Sequence, residues 1–331
     1  MTGRTTRRRK AKTRKPRRRQ ATPTALSPFL RSAGLTRREE RALEAAIVRF
    51  GSRPEVAAVD FGYKWKAGRM RKTLCLRIHL REKVPVRLLA RRERIPRRFL
   101  GIPTDVIEAP HRPQATPVPP WIDRAAVLRP GVSIGTSAGP AGTLGLLVRD
   151  SDDNGAPGLL TAAHVLTGDP TAGPGEPVLQ PARGDGGQPQ DTIGDLRRVD
   201  FETDAALARV FDTRPRDPAA EGSGNVVAGL RFAAYDMVLE KAGRSTGVTQ
   251  GIVDGLTEFG WGLRFVIHIV PRPQSPGPIA DLGDSGAVWY EPRSGDAVGL
   301  HCQGALNALT GSSFAIATSI PHLFPRLRVT L

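Results

Sequence analysis

Three residues of this chain have the types and settings for acyl transfer. Ser285 lies in Gly283-Asp284-Ser285-Gly286, which runs into the apolar stretch Ala287-Val288-Trp289. A serine hydroxyl is a weak nucleophile unless a base beside it takes its proton. The base in turn needs a carboxylate to hold its tautomer. His164 ends the apolar stretch Leu159-Leu160-Thr161-Ala162-Ala163, and Asp204 opens another, Ala205-Ala206-Leu207-Ala208. Asp195 and Asp200 are rivals for the carboxylate, but neither leads directly into such a strand. His79, His111, His268, His301 and His322 have no comparable setting and read as structural histidines.

Thr161-Ala162-Ala163-His164, Asp204-Ala205-Ala206-Leu207 and Gly283-Asp284-Ser285-Gly286, in that order, resemble the three signatures of bacterial trypsin-like (chymotrypsin-fold) serine peptidases. The stretch Lys241–Val253, with Gly243-Arg244-Ser245-Thr246-Gly247, is similar to a Gly-Arg-Thr-Thr-Gly segment common in bacterial members. The resemblance covers roughly residues 124–331. It implies a double six-stranded β-barrel and a serine endopeptidase with a polypeptide substrate and no cofactor. Ser285 would then be the nucleophile, His164 the base and later the acid, and Asp204 the orienting group. The N–H groups of Gly283 and Ser285 would form the oxyanion hole, where a Cβ at the sharp turn of Gly283 would obstruct. Ile279, six residues before the serine, would floor the specificity pocket, with Cys302 and Gly304 on its wall. An apolar floor points away from Lys or Arg specificity. The chain has no Ile-Val-Gly-Gly segment of the kind that processed relatives insert against the Asp before the serine. Asp284 therefore needs another partner, and the site is expected to form without processing. A rival reading is a vestigial scaffold that binds rather than cuts, with a polyanion-binding arm.

The order His, Asp, Ser also excludes an α/β-hydrolase, which runs Ser, Asp, His around Gly-x-Ser-x-Gly. No His-x-x-x-His or Cys-x-x-Cys spacing offers a metal site.

The elements that must position these residues read as β. Aromatics make up 5% of the 331 residues, while Gly (36) and Pro (29) are plentiful, which suits short strands and many turns. From Arg124 onward, short apolar runs such as Thr143–Arg149, Gly158–Ala163, Ala205–Val210, Phe265–Val270, Val298–Gln303 and Ser312–Thr318 alternate with Gly/Pro/Asp turns. The expected fold class is thus mainly β, a sandwich or barrel by this pattern alone, and the resemblance makes 124–331 a trypsin-like double β-barrel. It is preceded by a disordered basic tail (1–35), a small α+β domain (36–110) and a Pro-rich linker (111–123). In the α+β domain, Thr36-Arg37-Arg38-Glu39 is a capping box that opens a helix to Phe50, stopped by Gly51. Strands follow at Glu55–Trp65, Met70–Glu82 and Ile102–Glu108, with a short helix over Val86–Arg97.

The charge of +17 is concentrated at one end. Residues 4–19 hold eleven Lys/Arg and no acid. This arm reads either as a nucleic-acid- or polyanion-binding element or as a solvated tail, and no aromatic is interleaved to stack on bases. No apolar run reaches membrane-span length, and no apolar segment follows the basic N-terminus as a secretory signal requires. With only Cys75 and Cys302, and no pairing expected, the chain reads as cytoplasmic.

Overall fold

Helix α1 (Pro28–Ser32) and helix α2 (Arg37–Phe50) come first in a computed structural model that describes residues 27–66, 69–108, 121–168, 172–272, 278–306 and 313–331. The basic segment 4–19, His111 and most of the Pro-rich connection lie outside the described residues. Residues 28–35 were expected to belong to a disordered tail. Instead Phe29 and Leu30 of α1 are buried in the core, because the like charges stop at Arg19 and Phe29, Leu30 and Leu35 supply apolar side chains for it to bury. Helix α2 begins with the expected capping box. Glu39 donates its N–H to Thr36 Oγ1 at 3.3 Å, and Thr36 N–H donates to Glu39 Oε2 at 2.8 Å. Its Leu43, Ala46 and Phe50 face the core.

Strands β1 (Val56–Lys66) and β2 (Arg69–Leu80) pair antiparallel. Strand β3 (Arg98–Phe99) pairs antiparallel with β4 (Ile102–Glu108), and β4 runs parallel to β2. The helix expected over Val86–Arg97 is absent apart from one 3-10 turn, Val86–Leu88. Pro85 and Pro96 bracket the segment, and nearly all of it is exposed. With no face to bury, so short a helix has nothing to stabilise it.

The first barrel contains β5 (Ser133–Ile134), β6 (Gly142–Thr143), β7 (Leu146–Asp150), β8 (Ala156–Ala162), the single-turn helix α3 (Ala163–Leu166), β9 (Pro177–Leu179), β10 (Thr192–Asp200) and β11 (Ala205–Val210). Its sheet runs β7-β8-β11-β10-β9 and curls back through a bridge from Leu179 to Gly135 and the β5–β6 pair. The second contains β12 (Gly229–Leu230), β13 (Val238–Gly243), β14 (Gly247–Gly260), β15 (Leu263–Pro271), β16 (Val288–Tyr290), β17 (Asp296–Leu306) and β18 (Ser313–Ser319). Here the order β13-β16-β17-β18-β15-β14 closes because β13 also pairs with β14. Closure removes the sheet edges. Helix α4 (Ile320–Leu327) then packs between the barrels, and β19 (Val329–Thr330) returns to pair with β7. Mainly β architecture is the expectation drawn from the turn-punctuated strands, which left sandwich or barrel open; the two barrels are what the resemblance implied. Among the described residues no helix is long and apolar enough to cross a membrane.

The N-terminal strands extend the second barrel's wall. β1 pairs with β14, with Phe61 opposite Leu256 and Gly62 opposite Gly255. The core is shared too: Leu43, Phe61 and Ile78 lie in one cluster with Leu256, Ile267 and Trp289. The two facing glycines make room for a charge. A Cβ on Gly255 would lie 1.8 Å from Arg77 Nη2, and one on Gly62 would lie 2.5 Å from Arg77 Cζ. The Arg77 guanidinium, 0% exposed, spans Asp60 (Nε to Oδ1, 2.7 Å) and Asp254 (Nη1 to Oδ2, 2.7 Å), both also 0% exposed. Burial alone would raise both carboxyls, but Arg77 beside them holds both well below the usual range, Asp254 at about 2.

Candidate active site

β8 delivers His164 to the lip of the first barrel. Its last residue, Ala162, pairs with Ala205 at the start of β11, so Asp204 faces the α3 turn. Asp204 has φ +50, a conformation that is uncommon outside glycine. From there its backbone carbonyl accepts from Ala163 N–H at 3.0 Å. Its Oδ1 accepts from His164 N–H at 3.0 Å, and its Oδ2 lies 2.7 Å from His164 Nδ1. With Nδ1–H given to the carboxylate, Nε2 is the free acceptor a general base requires. The His164 side chain is 43% exposed and Asp204 only 13%. The imidazole therefore reaches solvent while the carboxylate beside it is largely shielded. The second barrel pins the Asp204 turn from behind: Thr318 Oγ1 donates to Thr203 O at 2.8 Å, and Cys302 Sγ approaches Asp204 O at 4.0 Å.

Ser285 sits on a loop that enters β16. Gly283 has φ +97 and Gly286 φ +92, which favour glycine. Space excludes a side chain as well. A Cβ on Gly286 would lie 2.1 Å from Thr161 Oγ1, and one on Gly283 would lie 2.5 Å from Ser245 Oγ. Asp284 N–H turns back to Asp281 O, and Gly286 N–H donates to His301 O. Among the described residues, the N–H groups of Gly283 and Ser285 make no hydrogen bond. Unsatisfied N–H groups are what a developing oxyanion needs.

The loop is seated against the first barrel. Ser285 O accepts from Thr143 N–H at 2.8 Å, and Thr143 O accepts from Thr161 Oγ1 at 2.8 Å. Gly142 touches both sides: a Cβ there would lie 2.3 Å from Val165 Cγ2 and 3.0 Å from Ser285 O. The residue after His164 and the candidate nucleophile thus border one glycine. Ser285 Oγ itself donates to Cys302 O at 3.4 Å. His164 and Asp204 are joined directly, whereas among the described residues Ser285 makes no hydrogen bond to His164.

Asp284 has the other partner that the resemblance called for. Lys241 Nζ lies 2.9 Å from Asp284 Oδ2, and both side chains are 0% exposed. The carboxylate also accepts from Thr246 Oγ1 (2.6 Å) and from the N–H groups of Ser245 (2.8 Å), Thr246 (3.1 Å) and Asp281 (3.0 Å). Burial by itself would raise the Asp284 pKa. The Lys241 ammonium and the Thr246 hydroxyl outweigh it and hold the group at about 2. Arg244, the more conspicuous cation of the same stretch, goes elsewhere. Its Nε donates to Asp185 Oδ2 at 2.8 Å, and its Nη1 donates to Ser245 Oγ at 2.9 Å, which ties a first-barrel turn toward the loop that carries Ser285. Lys241 was visible only as part of that segment, and nothing in the spacing singled it out.

The three pocket residues are placed differently from one another. Ile279 is 2% exposed and belongs to the shared core, where it abuts Gly251. Cys302 turns its thiol inward, with Leu300 O at 3.3 Å and Thr318 Oγ1 at 3.5 Å. Burial pushes that thiol well up, so Cys302 offers the Ser285 side its carbonyl and not its sulfur. Gly304 is exposed. His301 lies between these elements, 1% exposed, its Nδ1 accepting from Trp289 Nε1 at 3.4 Å. Burial, reinforced by Lys241, pushes the imidazole down to about 3, so it is neutral. Both cysteines are free.

No family model and no curated protein matches this chain. Solved structures do share features with it at low similarity. Thermobifida fusca protease A is 18% identical, covers 62% of this chain and 98% of its own, and has a TM-score of 0.46. The Nocardiopsis protease NAPase gives the same identity and TM-score, with 99% of its own chain covered. The HtrA-type protease AlgW is 20% identical over 57% of this chain and 51% of its own, with a TM-score of 0.35.

Proposed function

We propose that this chain is a serine endopeptidase in which Ser285, His164 and Asp204 act as a triad. Ser285 Oγ attacks a peptide carbonyl, and its proton passes to His164 Nε2. The tetrahedral oxyanion is held by the N–H groups of Gly283 and Ser285, each such donor being worth a factor of about 10²–10³. His164 then gives the proton to the departing amine, leaving an acyl-Ser285 ester. Water repeats the sequence, with His164 as base, and releases the acid. Asp204 fixes the imidazole tautomer and stabilises the imidazolium.

The observation that carries this reading is the pairing of His164 Nδ1 with Asp204 Oδ2 at 2.7 Å; among the described residues the N–H groups of Gly283 and Ser285 are unbonded, which supports it. The Lys241–Asp284 pair does the work of an inserted N-terminal amine from within the barrel, so the site needs no cleavage to form. A second reading, a scaffold that binds without cutting, draws on one feature: Ser285 Oγ is bonded to Cys302 O and not to His164. Catalytic hydrogen bonds often tighten only when substrate binds, and the peptidase reading is favoured.

Fluorophosphonate labelling of the full chain, with the labelled peptide mapped, separates the two. Label on Ser285 that vanishes in Ser285→Ala and His164→Ala supports the triad. A folded protein that takes no label sinks it.

A further inference from the structure

Between β2 and β4 lies a surface that the candidate active site does not use. Residues 81–100 contain eight Lys/Arg and two Glu. All but Leu89, Ile95 and Phe99 are exposed. The basic side chains are interleaved with aliphatic ones facing solvent: Val84 is 46% exposed, Val86 64%, Leu88 68% and Leu100 59%. Scattered exposed apolar residues are ordinary, but a cluster on one segment is not. Leu100 stands at the tip of the β3–β4 hairpin with φ +49, followed by Gly101 at φ +80. Such a turn favours Asn or Gly, and a leucine there is strained. The fold thus keeps an aliphatic side chain extended into solvent at a position that resists it.

The cations are available as well. Among the described residues, Lys83, Arg87, Arg91 and Arg97 have no carboxylate within ion-pair reach. Glu93 is 4.0 Å from Arg92. At the base of the loop, Glu108 accepts from the Lys83 N–H, and Glu55 lies 3.9 Å from Arg53.

We propose that this loop docks the protein onto an anionic lipid bilayer. Aliphatic side chains entering the headgroup boundary beside Lys and Arg that meet anionic lipid form the usual pattern of an interfacial anchor. Charge excludes the nearest alternatives. The chain's own segment 4–19 holds eleven Lys/Arg and no acid, and a second copy in a symmetric pair would bring the same basic loop. Nucleic acid is the weaker fit, since bases stack on aromatic rings. The one aromatic here, Phe99, is half-buried and packs edge-on against Phe50 at 5.1 Å.

The test uses the full chain and vesicles of phosphatidylcholine with and without phosphatidylserine. A dye sensitive to polarity is placed by Leu88→Cys, which labels selectively because Cys75 and Cys302 are 0% and 2% exposed. Phosphatidylserine vesicles are expected to bind the protein and shift the dye emission to the blue. Leu88→Ser with Leu100→Asn should weaken binding about tenfold, and Asn suits the turn, so the fold is not at risk. Arg87→Glu with Arg91→Glu should weaken it about 100-fold or more. Labelling of Ser285 should not change in either variant, so this reading stands or falls apart from the peptidase proposal. The idea is overturned if phosphatidylserine has no effect. It is also overturned if both variants bind vesicles as the parent does, since segment 4–19 would then account for the binding. Loop variants that lose DNA binding but keep vesicle binding would assign the surface to nucleic acid instead.

Discussion

Replacing Lys241 by methionine would leave the Asp284 carboxylate in its place without its cation. Both side chains have 0% exposure, so solvent cannot step in. Removing one partner of a buried pair costs about 3–5 kcal/mol. Three N–H groups and the Thr246 hydroxyl remain on the carboxylate, which points to the lower end, about 3 kcal/mol. The depression of the Asp284 pKa, which burial opposes and the Lys241 charge favours most, agrees in sign.

The pH dependence has a definite sign. In the parent the folded pKa lies below the unfolded one. The contribution is therefore complete above the unfolded value and is lost as pH falls toward the folded one. In Lys241→Met, burial is opposed by no cation, and the folded pKa rises above the unfolded value. The variant should then be more stable in acid and lose stability as pH rises through that new pKa. Urea unfolding of parent and variant at about pH 5 and about pH 8 reads this directly. The expected result is a deficit of about 3 kcal/mol at the higher pH that shrinks at the lower. Lys241→Met with Asp284→Asn should recover much of it, because no charge is left buried. A variant within about 0.5 kcal/mol of the parent, with no reversal in pH, would refute the reasoning. Fluorophosphonate labelling of the same samples should slow, since Asp284 anchors the loop that carries Ser285.

Other expectations follow from the same geometry. Asp204→Asn keeps the shape of the turn but mis-sets the His164 tautomer, and labelling of Ser285 should fall by about 10³–10⁴-fold with thermal unfolding little changed. Gly283→Ala places a Cβ against Ser245 Oγ at a positive φ; the labelling rate should drop at least tenfold, roughly the loss of part of one oxyanion donor. Arg77→Met removes the cation that Asp60 and Asp254 share at 0% exposure, leaving Asp254 with Trp65 Nε1 and His268 and Asp60 with His79, and should cost about 3 kcal/mol in urea unfolding. An Asp60→Asn, Arg77→Met, Asp254→Asn triple variant should be the more stable of the two.

What could be read ahead of the structure was local. Thr36 and Glu39 marked the start of α2 because a capping box is satisfied within four residues. Leu74, Leu76, Ile78 and Leu80 alternate, and β2 is a strand. Thr161 to His164, and Asp204 to Ala208, carried their setting in adjacent residues, and the structure joins His164 to Asp204. The errors came where tertiary context overrode composition. The Val86–Arg97 segment has helix-forming residues but no surface to dock on. Phe29 and Leu30 looked like part of a tail until a core was there to receive them. Strand β10 and helix α4 escaped notice, the first because Arg197, Arg198 and Asp195 interrupt its apolar pattern.

By itself, then, the sequence determined which residue types stand in which order: a serine in a Gly-Asp-Ser-Gly turn, a histidine and an aspartate at strand ends, and turn-punctuated strands enough for a sandwich or barrel. The resemblance added that Asp284 must find another partner, and that partner is a cation. Only the tertiary structure decided which one. Lys241 and Arg244 are three residues apart on one segment, and β13 turns Lys241 inward to Asp284 while Arg244 reaches Asp185. It likewise decided that β1 joins β14, with Arg77 seated between two glycines that are 193 positions apart in the chain. Strand periodicity and turns are set by neighbours in sequence. The pairing of buried charges is set by which groups lose water together, and that depends on contacts between distant segments.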